Sequence, residues 1–271
     1  MLGILSKMKT ELTSTVQYQL PLSEQLVDLN PLIGQPIKLV YNGHISCIHC
    51  HQKTKKSFSQ GYCYRCFRSL PQCDLCIMKP EQCHYAEGTC RDPNWGDAFC
   101  MQPHFVYLAN SSGIKVGITR HTQIPTRWID QGAVQALPIF KVSSRYLSGL
   151  IEVIIAKHVS DKTSWQRMLK SKPEPVDLIA KRDELLATCA SELKTLNDQF
   201  GDNALAYLTD EKVIDIEFPV VNYPTKVKSL NFDKQAEISG HLEGIKGQYL
   251  LLDSGVINIR KFTGYEIELS V

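Results

Sequence analysis

Two cysteine pairs, Cys47-x2-Cys50 and Cys63-x2-Cys66, lie twelve residues apart. That is the spacing with which two tight turns present four thiolates at tetrahedral geometry, so a zinc ribbon is expected over this stretch. Five more thiols follow, Cys73, Cys76, Cys83, Cys90 and Cys100, with His84 and His104 nearby, and among them only Cys73-x2-Cys76 repeats the tight pair. They suit a second zinc closed by Cys73, Cys76, Cys83 and Cys90, or by a set in which Cys100 replaces one of these. The intervals Cys76-x6-Cys83-x6-Cys90-x9-Cys100 suit an iron–sulfur cluster as well, which needs four thiolates but no tight pair. Buried free thiols are the remaining reading.

Nine of the ten cysteines fall between Cys47 and Cys100. The N-terminal residues have too short an apolar run for a signal peptide, and no stretch approaches the ~18 apolar residues of a membrane span. A reduced, cytoplasmic, metal-binding protein is therefore expected rather than a disulfide scaffold or a membrane protein. The net charge of +2 conceals an asymmetry: residues 1–172 carry +9 and residues 173–271 carry −7. Eight thiolates around two divalent ions would lower the first figure to about +5, still positive. A polyanion is the partner such a front favours, DNA or RNA in the first place. Lys53, Lys55 and Lys56 between the ribbon pairs, with Arg65 and Arg68 just beyond, form a basic tip that either touches phosphate or is simply solvated.

These residues need elements to hold them, and the sequence punctuates five segments. An N-terminal β segment (1–43) precedes the cysteine-rich segment (44–103), which is too polar to fold on an apolar core alone and is expected to draw folding energy from metal. In 104–172, HFVYLAN and IKVGIT read as strands around a Ser111–Ser112–Gly113 turn, and TRWIDQ as a short helix between Pro125 and Gly132. ALPIFKV is a third strand, and Leu147, Leu150, Ile151, Ile154, Ile155 and His158 recur at helical spacing, so an amphipathic helix is expected over 145–159, giving the order β-β-α-β-α. After the proline-rich KSKPEP, a single long helix is expected within 173–203, with Leu178, Arg182, Leu185, Leu186, Cys189, Leu193, Leu196 and Phe200 on one stripe. Alternating runs in 204–271 suit a small antiparallel β-barrel or sandwich. The fold class is α+β, without internal repeats.

The strands around Tyr107 and Gly117, the helix bearing Arg127 ten residues further on, and the later helix bearing Glu152 resemble the GIY-YIG nuclease superfamily over roughly residues 104–160. TCRDPNWG and VYLANSSGIKVGITR give the whole chain a likeness to a bacterial family known as domain of unknown function 2797. The superfamily resemblance implies phosphodiester hydrolysis, with Tyr107 helping to activate water, Arg127 holding the phosphate and Glu152 binding Mg²⁺ or Mn²⁺. Lys115 takes the place of the second signature tyrosine, and Phe105 and Val106 that of the first Gly-Ile. Hydrolysis of a phosphodiester needs these groups: an activated water, a cation over the phosphate and a divalent ion for the leaving oxygen. Glu152 sits at the rim of the apolar stripe, one residue from Ile151 and three from Ile155. Thr119 and Arg120 are further phosphate-contact candidates.

Each of these residues also has a plain structural reading: Tyr107 as a strand aromatic, Arg127 paired with Asp130, Glu152 paired with Lys157 or His158. His121 and His158 stand without a partnering motif, and Trp95 and Trp128 suit packing better than base stacking. Two functions follow, a metal-dependent endonuclease and a non-catalytic nucleic-acid-binding protein on the same scaffold, with an adaptor using the acidic C-terminal part as a third. Nothing in the sequence sets the oligomeric state.

Overall fold

In a computed structural model, which describes residues 1–159, 164–201 and 204–271, the chain opens with β1 (Leu2–Ile4), β2 (Lys9–Glu11), β3 (Gln17–Leu22), β4 (Gln25–Asp28) and β5 (Pro36–Ile45). Ile37, Leu39 and Ile45 of β5 are buried at even spacing, as in a strand with one face in the core. The cysteine-rich segment contributes only two short helices, α1 (Tyr64–Ser69) and α2 (Pro93–Phe99), and single helical turns. Pro93 opens α2 and the Asp92 carboxylate accepts from the Trp95 amide, two features that start a helix too short to persist by propensity.

The central unit runs β6 (His104–Asn110), β7 (Ile114–Arg120), α3 (Thr126–Asp130), β8 (Gln135–Val142) and α4 (Arg145–Ile155). Ser144 starts α4 by accepting from the Leu147 amide. Next come α5 (Trp165–Lys170), α6 (Leu178–Thr188), α7 (Ala190–Phe200), β9 (Leu205–Tyr207) and β10 (Ile214–Asp215). The chain ends in β11 (Glu237–Lys246), β12 (Tyr249–Leu252), β13 (Gly255–Asn258) and β14 (Tyr265–Ser270).

Three antiparallel sheets result. The central one has the order β10-β8-β6-β7, with β9 also on β8; the large one has the order β1-β14-β5-β11-β12-β13; the small one is β2-β3-β4. Every residue of β6 is buried, because both faces of the central sheet are covered. On one face Val106, Leu108, Val116 and Ile118 pack with Leu147, Ile151 and Ile155 of α4 and with α6 and α7. On the other, Tyr107 and Ala109 join Trp128 and Ile129 of α3 in a core shared with the large sheet.

Two expectations are corrected. The C-terminal strands form no closed barrel: β11, β12 and β13 make a meander whose outer neighbours are β5 and, beyond it, β14 and β1, so the sheet is open and built from both ends of the chain. Strands of a few residues carry no sign of their partners, which the sequence alone leaves unpaired. The helical stripe from Leu178 to Leu196 is carried by two helices that meet at Cys189 (φ −93°, ψ 5°) instead of one. The Thr188 hydroxyl donates back to the Glu184 carbonyl at 2.8 Å, a bond that loosens and bends a helix at its turn. Cys189 itself is fully buried on the stripe, whereas Phe200 is 36% exposed, and residues 202–203 of the expected helix lie outside the described residues.

Candidate functional site

The four ribbon cysteines come together. Cys47, Cys50, Cys63 and Cys66 have their sulfurs within 4.8 Å of one another, and those of Cys50 and Cys63 are 3.8 Å apart. Thiolates held tetrahedrally at Zn–S bonds of ~2.3 Å lie ~3.8 Å apart, so these four could hold a zinc ion. Short pairings shape the turns, Ser46 against Lys53 and Phe58 against Tyr62. Burial opposes ionisation of Cys47, but backbone hydrogen bonds at Cys50, Cys63 and His49 outweigh it and bring the thiol down to about 6. Burial and the three neighbouring thiols push Cys66 up. Lys53, Lys55, Lys56, Arg65 and Arg68 are all exposed around this centre.

The other five thiols divide. Cys76, Cys83, Cys90 and Cys100 line one cavity of about 20 Å³, with Asp74, His84 and Arg91 at its edge. Burial, then Asp74 and the thiols of Cys83, Cys100 and Cys90, push Cys76 up to about 11. Cys73 does not line this cavity. It is buried beside Ser59 and in the field of Cys47, so the tight pair Cys73-x2-Cys76 is split between two surroundings.

Tyr107, Arg127 and Glu152 come from β6, α3 and α4 and meet electrostatically. The Tyr107 hydroxyl donates to Gln131 Oε1 at 2.9 Å and hydrogen-bonds with Arg127, while the Glu152 carboxylate acts on it. Burial is the main reason its phenol is pushed up to about 12; Glu152 adds to the rise and Arg127 opposes it. Arg127 and Gln131 are four residues apart at α3, which brings both to one ring. Gly117 has a steric reason to be glycine: a Cβ there would lie 2.7 Å from the Tyr107 hydroxyl oxygen. Nearby, Asp130 is held by Lys7, by Gln248 Nε2 at 2.9 Å and by Arg260, and Lys157 is bonded to Glu192.

The sequence reading missed three residues here. Gln131 is signalled only by its spacing from Arg127. Arg145 opens α4, donates to the Ile77 carbonyl at 2.6 Å and feels Arg127 and Glu152, and Arg260 from the turn before β14 feels Arg127. Burial lowers both guanidinium groups. No local pattern marks either arginine, since each reaches the site through packing between distant segments.

Residues 34–267 match the family described as protein of unknown function (DUF2797). The chain belongs to that family. The DUF2797 match takes in both cysteine groups, the Tyr107 cluster and Arg260, and leaves out β1 to β4. No curated protein and no solved structure is similar enough to count as a match.

The remaining candidates of this DUF2797 chain sit apart from Tyr107. Arg120, His121 and Lys141 line a cleft of about 410 Å³ with Gln102, Phe105 and Thr122, and no acidic residue lines it. The Arg120 guanidinium lies 4.8 Å from the Phe99 ring. Thr119 is 4% exposed and its hydroxyl donates to the Arg120 carbonyl, so it faces inward. Lys115 is likewise buried, opposite Ala109 on the Tyr107 face. Trp128 packs edge-on against Tyr107 and Trp95 stacks on Phe99. His121 and His158 are exposed. Among the described residues, no helix is long and apolar enough to cross a membrane.

Proposed function

We propose that this protein binds the phosphate backbone of DNA or RNA and that Tyr107, Arg127 and Glu152 form a GIY-YIG-type site for phosphodiester hydrolysis. The observation that carries the reading is the convergence of these three residues, from three separate elements, on the Tyr107 hydroxyl. The exposed basic tip and the acid-free cleft at Arg120 and Lys141 supply sequence-independent phosphate contacts.

The chemistry divides by residue. Arg127, with Arg145 and Arg260 in its field, provides the cationic surround a phosphate needs. Tyr107 keeps its proton at neutral pH, so it orients a water or an oxygen by hydrogen bonding and is no base on its own. Glu152, half-buried, is the residue that would hold Mg²⁺ or Mn²⁺. One carboxylate suits an ion that also takes ligands from the substrate phosphate, as Mg²⁺ commonly does. Such an ion supplies Lewis-acid stabilisation of the leaving oxygen.

A second reading, binding without hydrolysis, is favoured by the full burial of Tyr107 and its bond to Gln131. One experiment separates the two. Purified protein is incubated with branched and single-stranded DNA and RNA, with Mn²⁺ or Mg²⁺, beside Glu152→Ala and Arg127→Ala. Cleavage by the parent that falls at least a hundredfold in both variants supports the hydrolase. Cleavage that both variants retain overturns it. Salt-sensitive binding without cleavage selects the second reading, and charge reversal at Lys53, Lys55 and Lys56 should then reduce the salt slope by about 3. No binding at low salt overturns both.

A further inference from the structure

We infer that Cys76, Cys83, Cys90 and Cys100 hold an iron–sulfur cluster, distinct from the Cys47–Cys66 centre. The four thiols line one small cavity although they come from four places in the chain: a helical turn, the residue after a second turn, a loop, and the end of α2. Cys76 feels each of the other three. Such a quartet is a complete ligand set, since four thiolates satisfy either a tetrahedral zinc or a cluster.

The spacing between the sulfurs separates these two. At the ribbon all four lie within 4.8 Å of one another, the closeness that one ion imposes. Among the described residues, the sulfurs of Cys83, Cys90 and Cys100 form no group of that tightness. Several irons bridged by sulfide spread their thiolates further apart than a single ion does, and a shared cavity lined by all four thiols gives them room. The other tight group nearby, Asp74, Cys76 and His84, is engaged otherwise. Asp74 Oδ1 accepts from the Leu75 amide at 2.6 Å, and Oδ2 lies 2.8 Å from Arg91 Nε and 3.5 Å from His84 Nε2.

The surroundings also supply charge of the right sign. Arg145 acts on Cys100 and Cys76, and its Nε has no hydrogen-bond partner among the described residues. Arg120 acts on Cys100 as well. Guanidinium groups beside four thiolates offset the negative charge that cluster ligation gathers in a poorly hydrated space. Because Arg145 also feels Arg127 and Glu152, the cluster would fix one side of the Tyr107 site, although its presence does not depend on that site being catalytic.

The test is metal and acid-labile sulfide analysis of full-length protein purified without oxygen, together with its visible spectrum. Iron and sulfide in near-equal amounts, broad visible absorption and about one zinc per chain are expected. About two zinc per chain without iron would overturn the inference, and so would a chain with one zinc and no iron. Variants locate the ligands. Cys83→Ser and Cys90→Ser should lose the iron and keep the zinc, whereas Cys73→Ser should keep the iron. Iron lost in Cys73→Ser but retained in Cys83→Ser would overturn the assignment. If the serine variants fail to fold, the analysis of the parent protein still decides whether a cluster is there.

Discussion

His104 shows how much a single side chain on this chain depends on its surroundings. It is fully buried at the start of β6, its Nδ1 lies 2.7 Å from the Gln102 carbonyl and so carries the proton, and Nε2 has no partner among the described residues. Burial, with Arg145 and Arg120 nearby, brings its pKa down to about 4. The folded imidazole is therefore neutral where the unfolded one, near 6.5, takes up a proton. Stability from this residue is complete above about pH 6.5 and is lost as pH falls toward 4, reaching about 2.5 kcal/mol at pH 4.5. Urea unfolding at pH 7 and pH 4.5 should show a smaller loss for His104→Gln than for the parent. Acid also affects thiolate–metal bonds, so the difference between the two proteins is the quantity to read. Equal losses in both would refute the assignment of the acid sensitivity to His104.

At the scale of elements, α4 joins the cysteine-rich segment to the central sheet. Its inner face carries Leu147, Ile151 and Ile155 into the core, while Gly149 lies against the helical turn at Pro80–Gln82. A Cβ at Gly149 would be 2.6 Å from Pro80 Cβ and 2.7 Å from the Glu81 amide nitrogen, both parts of a turn that cannot yield cheaply. Gly149→Val should lift that turn from the helix, lower stability by about 1–3 kcal/mol and speed proteolysis within residues 71–100, leaving the Cys47–Cys66 group undisturbed. Thermal unfolding and limited proteolysis check this; an unchanged digestion pattern would mean the turn is held elsewhere. The same helix marks the limit of what the sequence made legible. Its 3.6-residue spacing, the turn at Ser111–Gly113 and the paired spacing of Cys47, Cys50, Cys63 and Cys66 are local patterns, and local patterns can be read without a structure. The separation of Cys73 from Cys76, the approach of Arg145 to the Tyr107 site and the sharing of one sheet by both chain ends depend on contacts between distant segments. No periodicity encodes those.

For the whole molecule, the charge split between front and back is partly cancelled in space. Lys38 meets Glu237, Lys157 meets Glu192 and Lys172 meets Glu217, so basic residues of the first part face acids of the second. The basic tip and the cleft at Arg120 and Lys141 have no such facing acids among the described ion pairs, and these are the surfaces to which the proposed function assigns phosphate contacts. Asp130 shows the same joining inside the protein. Its side chain, 4% exposed, is held by Lys7 from the N-terminal segment, by Gln248 between β11 and β12, and by Arg260 before β14. Gln248 in turn accepts from the Met8 amide at 2.9 Å. One carboxylate thus ties both ends of the chain to the helix that carries Arg127. Asp130→Ala leaves Arg260 and Lys7 without it, a loss of about 3 kcal/mol for breaking a buried pair from one side. Because the core around Trp128 is continuous with that of the large sheet, the variant should still unfold in one step at a lower urea midpoint. Tryptophan fluorescence and far-ultraviolet circular dichroism should give coincident transitions. Two separated transitions in the parent protein would instead mean that the large sheet and the central unit fold independently, and that Asp130 links units with stabilities of their own.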